Sequence, residues 1–70
     1  MRIKVNGLIK KLDPEEEAPT LYGVISQLGY HPKLIVVEFN GIILEPSKWN
    51  KQEVKTGDSL EIVTIVGGGS

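Results

Sequence analysis

The stretch Thr20–Gly29, "TLYGVISQLG", decides the fold, because its apolar residues recur at helical spacing. Leu21, Val24, Ile25 and Leu28 fall at i, i+3, i+4 and i+7, which draws one apolar stripe along a helix. Thr20 is suited to cap the start by accepting an early backbone N–H, and Gly29 to end the helix in the left-handed conformation. Burying the stripe contributes about 1.5–3 kcal/mol per side chain before entropy is subtracted. Gly23 inside the helix costs about 1 kcal/mol relative to alanine, and close packing is one reason to keep it. A lone helix with one stripe has to bury it against a sheet.

The segments on either side supply that sheet. "RIKVNGLIKKL", Arg2–Leu12, reads as two strands around Asn6-Gly7, a pair that tolerates the positive φ angles of a type I′ hairpin. "DPEEEAP", Asp13–Pro19, carries two prolines and four acids and reads as a solvated connector to the helix. "KLIVVEFNGIIL", Lys33–Leu44, repeats the hairpin design around Asn40-Gly41. The unbroken apolar run Leu34–Val37 predicts a strand covered on both faces or nearly so. Pro46 ends the next strand. "SKWNKQEVKTGD" is then a connector, with Ser47 as a candidate cap, Trp49 as the anchor at the edge of a core, and Gly57-Asp58 as the turn into the last strand. One helix on one face of a mixed four- to five-stranded sheet makes a two-layer α+β domain.

Bulk properties narrow the functions. Seventy residues make one small domain, with little room for a catalytic cleft built from several elements. The chain contains no cysteine, so disulfides, thiolate metal sites and a cysteine nucleophile are excluded, and His31 is the single histidine. Eight basic against nine acidic residues, net charge −1, give no basic excess for a nucleic-acid backbone. No apolar run reaches membrane-spanning length, and Met1 leads directly into a strand-like segment, so a cytoplasmic location is expected. His31, Tyr22 and Tyr30 have no supporting catalytic constellation.

The last segment, "LEIVTIVGGGS", Leu60–Ser70, sorts by strand parity. Leu60, Ile62, Thr64 and Val66 share one face, and Glu61, Val63 and Ile65 the other. Leu60 and Ile62 belong to the core, because Glu61 cannot comfortably be buried there. Val63 and Ile65 then point away from the helix, either as a partner-docking patch or beneath the connector that carries Trp49. Gly67, Gly68 and Gly69 follow. Without a β-carbon, such an end can thread a narrow channel and leaves its carboxylate unshielded, and its backbone freedom makes it costly to order. The expected organisation is a domain over 1–66 and a flexible glycine tail over 67–70.

The Asn-Gly opening, the helix "TLYGVISQLG", the segment "VVEFNGIILEPSKW" and the ending "KTGDSLEIVTIVGGG" together resemble the thiamine-biosynthesis sulfur carriers, the ThiS family of ubiquitin-like β-grasp proteins. The resemblance spans essentially the whole chain. It implies that an E1-like enzyme adenylates the tail carboxylate with ATP and magnesium. Sulfur from a persulfide donor then replaces AMP to give a thiocarboxylate, which a thiazole synthase uses. The carrier would be a co-substrate with no bound cofactor and no acid, base or nucleophile of its own. Gly69 would be the reactive residue, Gly68 and Gly67 its approach, and Val63, Ile65, Val66 and Gly67 the surface offered to partners.

Ser70 departs from the family pattern, which ends in glycines. It is either removed before activation, tolerated, or an added residue, since Gly-Gly-Gly-Ser is also a linker sequence. Other classes compatible with the residues are a molybdopterin-synthase carrier subunit, a ubiquitin-like protein modifier joined through Gly69, and a plain interaction domain.

Overall fold

The computed structural model describes residues 1–65. Strands β1 (Arg2–Val5) and β2 (Leu8–Lys11) precede helix α1 (Leu21–Gln27). A 3-10 turn (Pro32–Leu34) leads into β3 (Ile35–Phe39) and β4 (Ile42–Leu44). A second 3-10 segment (Pro46–Lys51) precedes β5 (Ser59–Thr64). The strands form one five-stranded sheet in the order β2-β1-β5-β3-β4. β1 and β5 run parallel, while the β1–β2, β3–β4 and β3–β5 pairs are antiparallel. This is the expected α+β architecture, with the last strand in the middle.

Both hairpins form at the expected dipeptides. Asn6 and Asn40 have φ of 51° and 50°, followed by Gly7 at 84° and Gly41 at 87°, the double left-handed step of a type I′ turn. The helix ends also follow the sequence. The Gly23 N–H donates to Thr20 Oγ1 at 3.2 Å, which caps the start. At the other end Gly29 has φ 89°, its N–H donates to the Ser26 carbonyl at 3.1 Å, and the Tyr30 N–H reaches the Ile25 carbonyl at 3.2 Å. That pair of bonds is a Schellman motif, and it leaves Leu28 as the half-buried cap residue.

α1 lays Leu21, Val24 and Ile25 onto the sheet, where they meet Ile3 and Val5 of β1, Ile35, Val37 and Phe39 of β3, and Leu60 and Ile62 of β5. The connector completes the core with Trp49 and Val54. Trp49 is fully buried, and its indole Nε1–H donates to the Leu44 carbonyl at 2.9 Å, so the ring is enclosed without stranding its polar atom. The connector is strapped to the start of the helix. Leu21 N–H donates to the Gln52 carbonyl at 2.7 Å, and Val54 N–H to the Pro19 carbonyl at 2.9 Å.

Three expectations need correction. Leu34–Val37 is not covered on both faces: Leu34 lies in the 3-10 turn, Ile35 and Val37 are buried, and Val36 and Leu34 are 39% and 49% exposed. The reason is that the structure has a single covering layer, so an apolar run cannot hide its alternate side chains. Ser47 does not cap the second 3-10 segment. The segment already begins at Pro46, whose fixed φ suits a first helical position, so Ser47 lies inside it and Glu45 holds the cap position, without a side-chain bond. Gly23 is not required for close packing, since a Cβ there would sit 3.6 Å from Thr20 Oγ1, ordinary van der Waals contact.

A seven-residue helix is about 10 Å long and about as wide with its side chains, whereas five strands span about 19 Å. The outer strands therefore protrude beyond the helix. Leu8 and Ile42, on the helix side of β2 and β4 by register, are 64% and 65% exposed. The edges are blunted in different ways, β2 by Lys10 and Lys11 and β4 by its three-residue length.

Two stability measurements check this description. Gly23→Ala is expected to raise the free energy of unfolding by up to about 1 kcal/mol in urea titration, because the new methyl fits and the unfolded chain loses freedom. A loss of stability would show that the site is tighter than the 3.6 Å contact implies. Asn6→Gly keeps the left-handed turn but leaves two backbone groups of Ile62 without partners, at an expected cost of about 1–3 kcal/mol. An unchanged midpoint would remove that side chain from the list of interactions holding β5.

Candidate functional site

The site grows out of β5. Because β5 is central, its alternate residues divide cleanly between core and solvent. Leu60 and Ile62 are 0% and 6% exposed, while Val63 and Ile65 are 61% and 47% exposed. The parity reading of the last strand therefore holds. Of its two alternatives for Val63 and Ile65, coverage by the connector is ruled out. That connector packs against α1 on the other side of the sheet, and its tryptophan is spent in the core.

Register shows what stands beside these residues. Val63 lies directly opposite Val36 of β3, and facing residues of an antiparallel pair share a face. The Ile65 N–H donates to the Leu34 carbonyl at 2.6 Å, which carries the β3–β5 pairing one step past the strand and brings Leu34 alongside. Val36, Val63, Leu34 and Ile65 thus form one exposed apolar area where the chain leaves the described fold. Leu34 and Val36 were missed as site residues by the sequence reading. The signal was present in the unbroken run from Leu34 to Val37, half of which faces away from the single helix.

The next row on the same face is charged. Glu38 of β3 stands opposite Glu61 of β5, and Ile43 of β4 stands opposite Glu38. Like charges directly opposed across a sheet destabilise it, so this row is a local cost on an outer surface. On the far side of β5 the face turns basic. Arg2 pairs with Lys11 and Lys4 with Ile9, all outside the core. The outer face therefore presents an apolar corner, an acidic row and a basic border.

The predicted site residues Val66, Gly67, Gly68 and Gly69 lie outside the described residues, as does the expected boundary between 66 and 67. Among the described residues, no cluster of three or more His, Cys, Asp or Glu side chains could hold a metal ion, and every buried residue is hydrophobic. No helix among them is long and apolar enough to cross a membrane. The acidic connector does border a groove with the helix, lined by Asp13, Glu15, Glu16, Gly23 and Gln27, where Gln27 Nε2 donates to the Asp13 carbonyl at 3.3 Å. This groove lies on the helix side of the molecule, away from the outer sheet face.

Comparison with known proteins agrees with the architecture and goes further. A crystal structure of the thiamine biosynthesis protein ThiS from Geobacter metallireducens superposes with a TM-score of 0.80 at 31% identity, covering 99% of this chain and 100% of that one. A solution structure of a thiamine biosynthesis protein from the same organism gives 0.79 at 31% identity, covering 100% and 90%. An uncharacterized protein, ycf40, from Trieres chinensis is 37% identical over 49 residues, 70% of this chain and 67% of that one. The model of the ThiS family matches residues 3–69, nearly the whole chain. With its ubiquitin-like sheet and single helix, this chain belongs to the ThiS family.

Proposed function

We propose that this protein is a sulfur carrier for thiazole formation in thiamine biosynthesis, acting as a co-substrate and not as an enzyme. The observation that supports the reading most directly is the placement of β5. A central strand, paired on both sides and with an exposed apolar area at its exit, leads into the glycines of the matched family segment. In the proposed cycle an E1-like enzyme binds the outer face and uses ATP and magnesium to adenylate the carboxylate of Gly69, once that residue is terminal. A persulfide donor displaces AMP and leaves a thiocarboxylate. Thiazole synthase then takes up the sulfur. Gly67 and Gly68 pass through the partner's channel, while Val63, Ile65 and Val66 dock beside its entrance. Such a partner surface would be apolar opposite Val36 and Val63 and cationic opposite Glu38 and Glu61, whose repulsion it would relieve.

The chemistry is tested by incubating the protein, trimmed to Gly69, with its activating enzyme, ATP, magnesium and a sulfur donor. Intact mass should show one oxygen replaced by sulfur. An unchanged mass, or conjugates of higher mass on immunoblots, would reject sulfur carriage in favour of a binding or modifier role. Docking is tested separately. Val63→Asp and Ile65→Asp should shift stability by no more than about 1 kcal/mol, since both are solvent-facing, yet weaken binding to the activating enzyme at least about tenfold. Undiminished affinity in titration calorimetry would show that the partner docks elsewhere.

A further inference from the structure

Both type I′ turns place asparagine before glycine, and this pairing has a chemical consequence besides its geometry. The glycine nitrogen can attack the preceding side-chain amide carbon, because glycine has no β-carbon to shield it. At Gly41 nothing stands within 4 Å of where a Cβ would be, so crowding offers no protection. What restrains Asn40 is hydrogen bonding. Its Oδ1 accepts the Ser59 N–H at 2.8 Å, and its Nδ2 donates to Asp58 Oδ1 at 3.1 Å. Asp58 is itself fixed, its other oxygen accepting the Lys55 N–H at 2.7 Å. Asn6 is held differently. Like Asn40 it is exposed, but both of its bonds go to the backbone of Ile62, a buried residue of the central strand. Asn40 is held instead at the start of β5, by the half-buried Asp58 side chain and the backbone of Ser59.

We propose that Asn40 is a self-modifying site, converted by water to aspartate or its β-linked isomer whenever the Asp58–Ser59 hold on its side chain opens. In the first step the Gly41 nitrogen loses its proton to hydroxide and bonds to Asn40 Cγ. The Cγ–Nδ2 bond breaks, ammonia leaves, and a cyclic imide forms. Water then adds to either imide carbonyl and opens the ring. The net change is amide plus water to acid plus ammonia, with no oxidation or reduction. Loss of ammonia makes the change one-way, and the fold registers it. A carboxylate at position 40 meets Asp58 Oδ1 where a donor stood 3.1 Å away, replacing a hydrogen bond with a like-charge contact. The β-linked product also lengthens the backbone inside a two-residue turn. Either one loosens the place where the Asn40 N–H donates to the Ser59 carbonyl at 2.8 Å, next to the Phe39–Leu60 core pair.

The test is site-resolved conversion, read by peptide mass mapping after incubation at mildly alkaline pH, with Asn6 as the internal reference. In the folded protein Asn40 should convert at least about tenfold more slowly than in urea. Asp58→Ala should raise the folded-state rate at Asn40 about fivefold while leaving Asn6 unchanged, with amide exchange confirming the fold. Equal rates for Asn40 in folded and unfolded protein would overturn the proposal, as would a parallel rise at Asn6 in the folded variant. If Asp58→Ala does not fold, the comparison of native with urea-unfolded protein decides the matter alone.

Discussion

The last strand of the described chain is the middle strand of its sheet, and each hairpin is fastened to it through an asparagine side chain. Asn6 extends the parallel β1–β5 pairing beyond the backbone ladder. Its amide bonds both the N–H of Ile62, at 2.7 Å, and the carbonyl, at 3.1 Å, as a neighbouring strand would. Asn40 does comparable work at the other flank by holding Ser59, where β5 begins. The same two residues supply the left-handed φ that the turns demand. The residues that shape the turns therefore also hold the central strand, whose register sets the core pairs Phe39–Leu60 and Val37–Ile62.

A central β5 also determines which surface is free. The single helix and the Trp49 connector occupy one side of the sheet, so the outer side of β3 and β5 stays open to solvent. Its apolar corner sits at the point where the chain leaves the described fold, with the acidic row behind it. A carrier needs such a division: rigid packing on one side, and a surface on the other that partners can grip without disturbing it. The ThiS family match and the ThiS structure at a TM-score of 0.80 agree with the fold that produces this arrangement.

The core is small, and it leaves little margin. A domain of this size has about 3–5 kcal/mol of net stability, comparable with the cost of one truncated core side chain. Trp49 enlarges the core beyond what the short helix supplies, and its bond to the Leu44 carbonyl ties the connector to β4. Functional comparisons between variants therefore depend on substitutions confined to the outer face.

Local chemistry was legible in the residues themselves. Asn-Gly twice fixed the hairpins, Thr20 and Gly29 marked the ends of the helix, and the alternation from Leu60 to Ile65 sorted core from surface. These signals are short-range, set by φ preference, capping and the period of a strand. Which strand neighbours which, and hence what lies beside Val63, depends on contacts between residues far apart in the chain. Leu34 and Val36 joined the exposed area because one helix covers one face, a fact about layers that an apolar run cannot express. Val54 entered the core because the connector is strapped to the helix start, and Ser47 lost its expected role as a cap because the 3-10 segment begins one residue before it. The sequence by itself determined the elements and the alternation of β5; the tertiary structure alone decided the central place of that strand and the surface around its exit, since both arise from pairing and coverage between distant segments.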